Sequence, residues 1–157
     1  MRTRIFIIAL LAAFTTAFSA SAQDYRTAVG LRLGSTNGIT IKHFTKRNVA
    51  LEGIVSTRWR GVGLTGLIEG HTRFLGVNRL NFIYGAGAHV YIWGEGNRGY
   101  APYQRSSIAG LDAILGLEYN FREVPINIGI DWKPTLNFSV DNGFWGDEAA
   151  ISIRYTF

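Results

Sequence analysis

Glu69, His71 and Arg73 occupy alternate positions in LIEGHTR (67–73), so an extended backbone sets all three side chains on one face. A carboxylate, an imidazole and a guanidinium at that spacing could support nucleophilic catalysis. The carboxylate would orient the imidazole, and the imidazole would take the proton of a hydroxyl. Ser56 and Ser152 are the hydroxyls that would complete such an acyl-transfer set. The same residues at the same spacing also suit a buried, ion-paired polar core, and that is the reading favoured. His43 and His89 stand apart from any ligand spacing, so no metal site is predicted. Gly85-x-Gly87 is a fragment of a dinucleotide fingerprint, but it sits inside a strand pattern with no helix after it; no cofactor is predicted.

The elements that must position these groups are strands. Period-2 alternation recurs along the chain and no helical period is sustained. Strands are expected over about 25–34, 38–44, 48–58, 62–74, 79–93, 107–121, 126–139 and 148–157, with Asn37-Gly38 as a tight hairpin signal. TKRN (45–48), GVNR (76–79) and REVP (122–125) are short turns and fall by parity at one end, the turn end. The longer connections, 94–106 and 141–148, fall at the other, the loop end.

Each strand has an apolar and a polar face. Ile126, Ile128, Ile130, Trp132, Leu136 and Phe138 oppose Asn127, Asp131, Lys133, Thr135 and Asn137. Leu111, Leu115, Leu117 and Tyr119 oppose Asp112, Glu118 and Asn120. A secreted lipocalin- or avidin-like barrel would turn the apolar face inward; a membrane barrel would turn it to lipid. Three features favour the second. The polar face is rich in glycine, as a crowded interior requires. Its charges balance, with Arg32, Lys42, Arg73, Lys133 and Arg154 against Glu52, Glu69, Asp112, Glu118 and Asp131, as buried charges must. Aromatics gather in two belts, with Phe74, Phe82, Tyr119, Phe121, Tyr155 and Phe157 at the turn end and Trp59, Trp132 and Phe138 at the loop end.

Arg2 and Arg4, an apolar run over 5–18 and small residues at Ala20 and Ala22 predict a secretory signal peptide, 1–22, cleaved before Gln23. Losing it lowers the formal charge from +5 to +3. The remaining cations are scattered, so a nucleic-acid partner is not expected. With no cysteine in the chain, an exported domain over 23–157 must stand without disulfides.

The leader, eight alternating strands, short turns at one end and the terminal ISIRYTF (151–157) resemble the small outer-membrane β-barrel proteins of Gram-negative bacteria. Phrases such as YGAGAHVYIW (84–93) and LGLEYNF (115–121) are similar to porin-like small barrels of Bacteroidota type. The resemblance implies an all-β, eight-stranded antiparallel up-and-down transmembrane barrel in the outer membrane, among lipid and lipopolysaccharide. It further implies that Tyr155 and Phe157 are read by the barrel-assembly machinery.

Eight strands enclose just enough space for side chains, so the lumen is expected to be filled by a polar network of Arg32, Glu52, Glu69, His71, Arg73, Asp112, Glu118, Asp131, Lys133 and Arg154. Some barrels of this size modify lipid A, but His71 falls towards the turn end and inside the barrel, and the His-x-Ser pattern of the lipid A deacylases is missing. The expectation is a non-enzymatic, structural or surface-interaction protein. A lipid-modifying or ligand-binding barrel, or a narrow porin, is the alternative. Arg98, Tyr100, Tyr103, Arg105, Phe144 and Trp145 are the outer-loop contact candidates, grouped with Asp147 and Glu148.

Overall fold

The computed structural model describes residues 25–58, 61–93, 106–138 and 143–157. Segment 1–22, Trp59, and the loop candidates Arg98, Tyr100, Tyr103 and Arg105 lie outside the described residues. The strands are β1 (Thr27–Gly34), β2 (Asn37–Lys46), β3 (Val49–Arg58), β4 (Gly61–Arg73), β5 (Leu80–Trp93), β6 (Ser106–Asn120), β7 (Ile126–Trp132), β8 (Thr135–Asn137), β9 (Phe144–Trp145) and β10 (Ala149–Thr156). All pairings are antiparallel. The order β5-β4-β3-β2-β1-β10-β7-β6 closes through a β5–β6 pairing. β7 and β8 are one interrupted span, and β9 leads into β10. The sheet is therefore an eight-stranded closed antiparallel barrel. First and last strands pair from Ala28↔Thr156 to Gly34↔Ala150, so neither edge is left open.

The interruption of the seventh span has a local cause. Pro134 has no N–H to give to the ladder, and β7 stops at Trp132. Pairing with β6 keeps its register across the break, from Leu115↔Trp132 to Asp112↔Thr135. On the other side β7 pairs with β10 only as far as Trp132↔Ala149, and beyond the proline β8 pairs with β9. The connection back to β10 is thereby folded against the barrel mouth, where Lys133 N donates to Glu148 O (2.7 Å). At the turn end, the β4–β5 turn uses left-handed backbone at Leu75, Gly76 and Arg79.

Alternation sorts the two faces sharply. Leu64, Ile68, Ile130 and Ile151 are among the outward residues more than half exposed. Among the described strand residues, no Asp, Glu, Lys or Arg points outward between the two ends. Inward positions carry the charges, interleaved with three apolar patches. Tyr25, Ala28, Phe44 and Ala50 pack at the turn end; Ile54, Leu67 and Ile114 pack in the middle; Tyr91, Trp93 and Ile108 pack at the loop end with Trp145 against them. Large inward rings fit because glycine lies opposite. A Cβ on Gly63 would collide with the Tyr91 ring, and one on Gly61 with the Trp93 indole.

Outward aromatics form contacting pairs near the turn end. Tyr119 meets Phe121 edge-on at 5.0 Å, Tyr155 lies 6.2 Å from Phe157, and Phe74 lies 6.4 Å from Phe82. At the other end Trp132 is outward and donates its Nε1 hydrogen to Gly146 O (2.7 Å). No helix among the described residues is long and apolar enough to cross a membrane.

Candidate functional site: the charged lumen

The turn half of the lumen is organised around Lys42. Its Nζ lies 2.8 Å from Glu69 Oε2, 3.0 Å from Glu118 Oε2 and 3.4 Å from Glu52 Oε2. β2, β3, β4 and β6 each supply one member from an inward position within the strand, so the ammonium ties four strands together. Arg154 enters from β10, with Nη2 at 2.7 Å from Glu52 Oε1 and Nη1 at 3.6 Å from Glu118 Oε2. Tyr25 donates its hydroxyl to Glu118 Oε1 (2.7 Å), and Thr40 donates to Glu52. His71 Nε2 lies 3.1 Å from Glu69 Oε2, with Phe44 tilted against the ring at 4.7 Å. Three carboxylates face two permanent cations here.

Arg32 pairs with Asp131 between β1 and β7. The loop half is organised around Lys133, which lies 2.8 Å from Asp112 Oδ1 and 2.9 Å from Glu148 Oε1. His89 Nδ1 faces the Asp112 carboxylate at 3.0 Å, and Nε2 faces Asn137 Oδ1 at 3.0 Å. Asn137 turns its amide nitrogen to Gly143 O (3.0 Å), which leaves its oxygen for the histidine. Thr36 donates to Glu148 Oε1 (2.9 Å). Arg58 Nη2 lies 2.7 Å from Asp147 Oδ2, and Nη1 lies 3.7 Å from Glu148 Oε2. The Arg58 guanidinium sits 4.8 Å from the Trp145 ring centroid, and its carbonyl accepts the Trp93 indole N–H (3.2 Å). The hydrogen bond from Arg58 holds the Asp147 carboxyl below the usual aspartate range.

Nine of the ten residues expected in the lumen network, Arg32, Glu52, Glu69, His71, Asp112, Glu118, Asp131, Lys133 and Arg154, are buried together with Lys42. Arg73 is not among them. It has the inward parity of β4, but it is the last residue of the strand and is exposed. Its place is taken by Arg58, and Glu148 is an additional buried carboxylate. Among the described residues the inner charge is therefore five cations, Arg32, Lys42, Arg58, Lys133 and Arg154, against six carboxylates with two histidines beside them. The five-to-five balance expected from the strand pattern is corrected accordingly.

Glu148 and Trp145 also leave the exposed loop group. Glu148 is buried in the lumen, and Trp145 is half-buried against the Tyr91–Trp93 stack, while Phe144 remains exposed. Arg58 and Glu148 were legible in principle, because both continue the inward parity of β3 and β10. Tyr25 has no such signal. It precedes β1 and is buried by folding under the barrel, with its ring edge-on to Phe44 at 5.1 Å.

The acyl-transfer arrangement is not assembled among the described residues. His71 bonds Glu69, Ser56 Oγ pairs with Tyr91 Oη (3.3 Å), and the Ser152 hydroxyl bonds neither. Among the described residues no three His, Asp or Glu side chains converge as metal ligands would. The arrangement can hold buried charge and brace the strands against one another. No protein-family model matches the chain, and no curated protein matches it.

Proposed function

We propose that the chain is an integral outer-membrane β-barrel, exported through a cleaved 1–22 leader, with a side-chain-filled lumen and a structural or surface-interaction role exercised at the loop end. One observation carries this reading: among the described residues charge is confined to the inside and the two ends, while the outer wall between them is uncharged and mostly apolar. In water this sorting would be inverted. In lipid it is required, since a Lys or Arg on the outer wall at mid-depth would cost about 2–4 kcal/mol. Closure supports the same reading, because the pairings β5–β6 and β1–β10 join the eight spans into a ring, so the barrel wall presents no open sheet edge to hydrocarbon. From Phe82 to Ile92 the outward row of β5 runs ~33 Å at ~3.3 Å per residue. With a strand tilt of ~40°, that is about 25 Å along the barrel axis, the height of an outer-membrane apolar band.

The lumen holds Trp93, Tyr91, Arg32, Arg154, Lys42 and Lys133 as fully buried side chains, which favours a plugged barrel over a diffusion channel. Lipopolysaccharide and outer-leaflet partners would meet Phe144 together with Arg98, Tyr100, Tyr103 and Arg105. Tyr155 and Phe157, outward at the end of β10, would be presented to the assembly machinery. Cell fractionation with heat-modifiability on gels tests the proposal. The expected result is a band in the outer-membrane fraction that migrates faster before boiling than after; recovery from the periplasm would sink it. Purified protein in planar bilayers should show no large stable channels. A deletion strain should keep its lipid A acylation unchanged, and an altered pattern would overturn the non-catalytic part.

A further inference from the structure

The described surface has a second charge asymmetry, at the turn end. Arg26, Lys46, Arg47 and Arg122 are exposed there and make no ion pair among the described residues. Arg79 gives one hydrogen bond to Phe121 O (3.3 Å), and Arg73 is exposed at the end of β4. Among the described residues, Glu123 is the one exposed acidic side chain at this end. At the loop end, by contrast, the described charges Arg58, Asp147 and Glu148 pair with one another. The cations come from every described turn of the turn end, not from one run, so they form a rim and not a track. The rim lies just beyond the aromatic belt: Arg73 precedes Phe74 and Arg122 follows Phe121. Basic side chains at that depth reach the phosphate level of a lipid leaflet.

Two further features point to an amphiphile. Arg26, Lys46 and Arg47, with Phe44 and Thr45, line an open groove of about 330 Å³. Between Arg73 and Arg79 the β4–β5 turn exposes Leu75 (82 %) and Val77 (47 %), and Leu75 is held in left-handed backbone. Apolar tips set among cations suit the headgroup–acyl boundary better than bulk water.

We propose that the turn end is a binding rim for anionic phospholipid headgroups, which fixes the depth of the barrel and gives it a preference for an anionic leaflet. This rests on the membrane reading above. The test uses the full mature chain reconstituted in mixed phosphatidylcholine–phosphatidylglycerol nanodiscs, with retained lipid identified by native mass spectrometry. The expected result is enrichment of phosphatidylglycerol that falls with added salt. In the variant carrying R26Q, K46Q, R47Q and R122Q the enrichment should fall by about fivefold per side chain removed at low salt. Should that variant not fold, K46Q/R47Q, confined to one exposed turn, should show a proportionate loss. Insertion without phosphatidylglycerol preference, or an unchanged preference in both variants, overturns the rim. Displacement of the bound lipid by soluble inorganic phosphate also overturns it, since a bare anion site would then suffice. Failure to insert into nanodiscs overturns the membrane reading and this inference with it.

Discussion

The two halves of the lumen use the same chemistry but anchor it differently. In the turn half, Lys42, Glu52, Glu69, Glu118 and Arg154 all stand within strands, and the network joins five strands. In the loop half, Lys133 pairs with Asp112 and with Glu148, and Glu148 in turn faces Arg58; Glu148 lies in the connection before β10 and Arg58 is the last residue of β3. Strand-borne charges brace the barrel wall; connection-borne charges pin the mouth. Every member of the first network is borne by a strand, whereas the second depends on a connection that can open while the ladder stays intact. Local stability should therefore fall from the turn end towards the loop end.

The strongest way to break this contrast is Lys42→Met. Removing the hub leaves three buried carboxylates facing Arg154, and breaking a buried pair costs about 3–5 kcal/mol. Folded yield in detergent and the urea midpoint should both fall, and adding Glu69→Gln and Glu118→Gln should recover part of the loss. A shift of less than about 1 kcal/mol would show that the hub is not a brace.

Gly63→Ala comes next. The new methyl meets the Tyr91 ring, which is fully buried between His89 and Trp93 and has nowhere to go. A cost of about 1–3 kcal/mol is expected. Tyr91→Ala should relieve the clash and Tyr91→Phe should not; equal rescue by both would assign the effect to the hydroxyl bond with Ser56.

Glu148→Gln weakens the contact to Lys133 and should cost about 1–3 kcal/mol. Its more telling effect is spatial. Hydrogen exchange should rise in β8–β10 near the mouth while β2–β4 stay protected. Uniform deprotection would erase the distinction between the halves.

Asp147→Asn is expected to be the mildest change. The carboxylate is exposed and its pair with Arg58 is worth at most about 1 kcal/mol. Because its folded-state affinity for a proton is depressed, its contribution is present above the ordinary aspartate value of 3.8 and is lost as pH falls below it. The unfolding curves of the wild type and of the D147N variant should therefore converge on acidification. Divergence would mean that the pair with Arg58 is not the source of the difference.

Much of this molecule is legible as alternation. In INIGIDW (126–132) and ISIRYTF (151–157) the apolar row and the polar row assign faces without further information, and nine of the ten expected lumen residues follow from that parity. Parity carries no information about depth, and the misplacements are all at strand ends. Arg73 and Arg58 share the inward parity of their strands and both are terminal, yet one is exposed and the other buried. The difference is the rim of the barrel. β4 runs past β3 at the turn end, whereas Arg58 ends under the folded connection that carries Asp147 and Glu148. That connection lies there because Pro134 releases the seventh span from β10, a consequence of register no local pattern contains.

The sequence by itself determined the strand number, the antiparallel meander and the uncharged outer row, because a two-residue period can satisfy only one face of a sheet. Tertiary structure alone decided which charges meet. Partners such as Lys42 with Glu118, or Tyr25 with Glu118, lie 76 and 93 residues apart. Only the shear of the closed barrel brings those positions to the same level, and it is their mutual neutralisation that lets so much charge be buried.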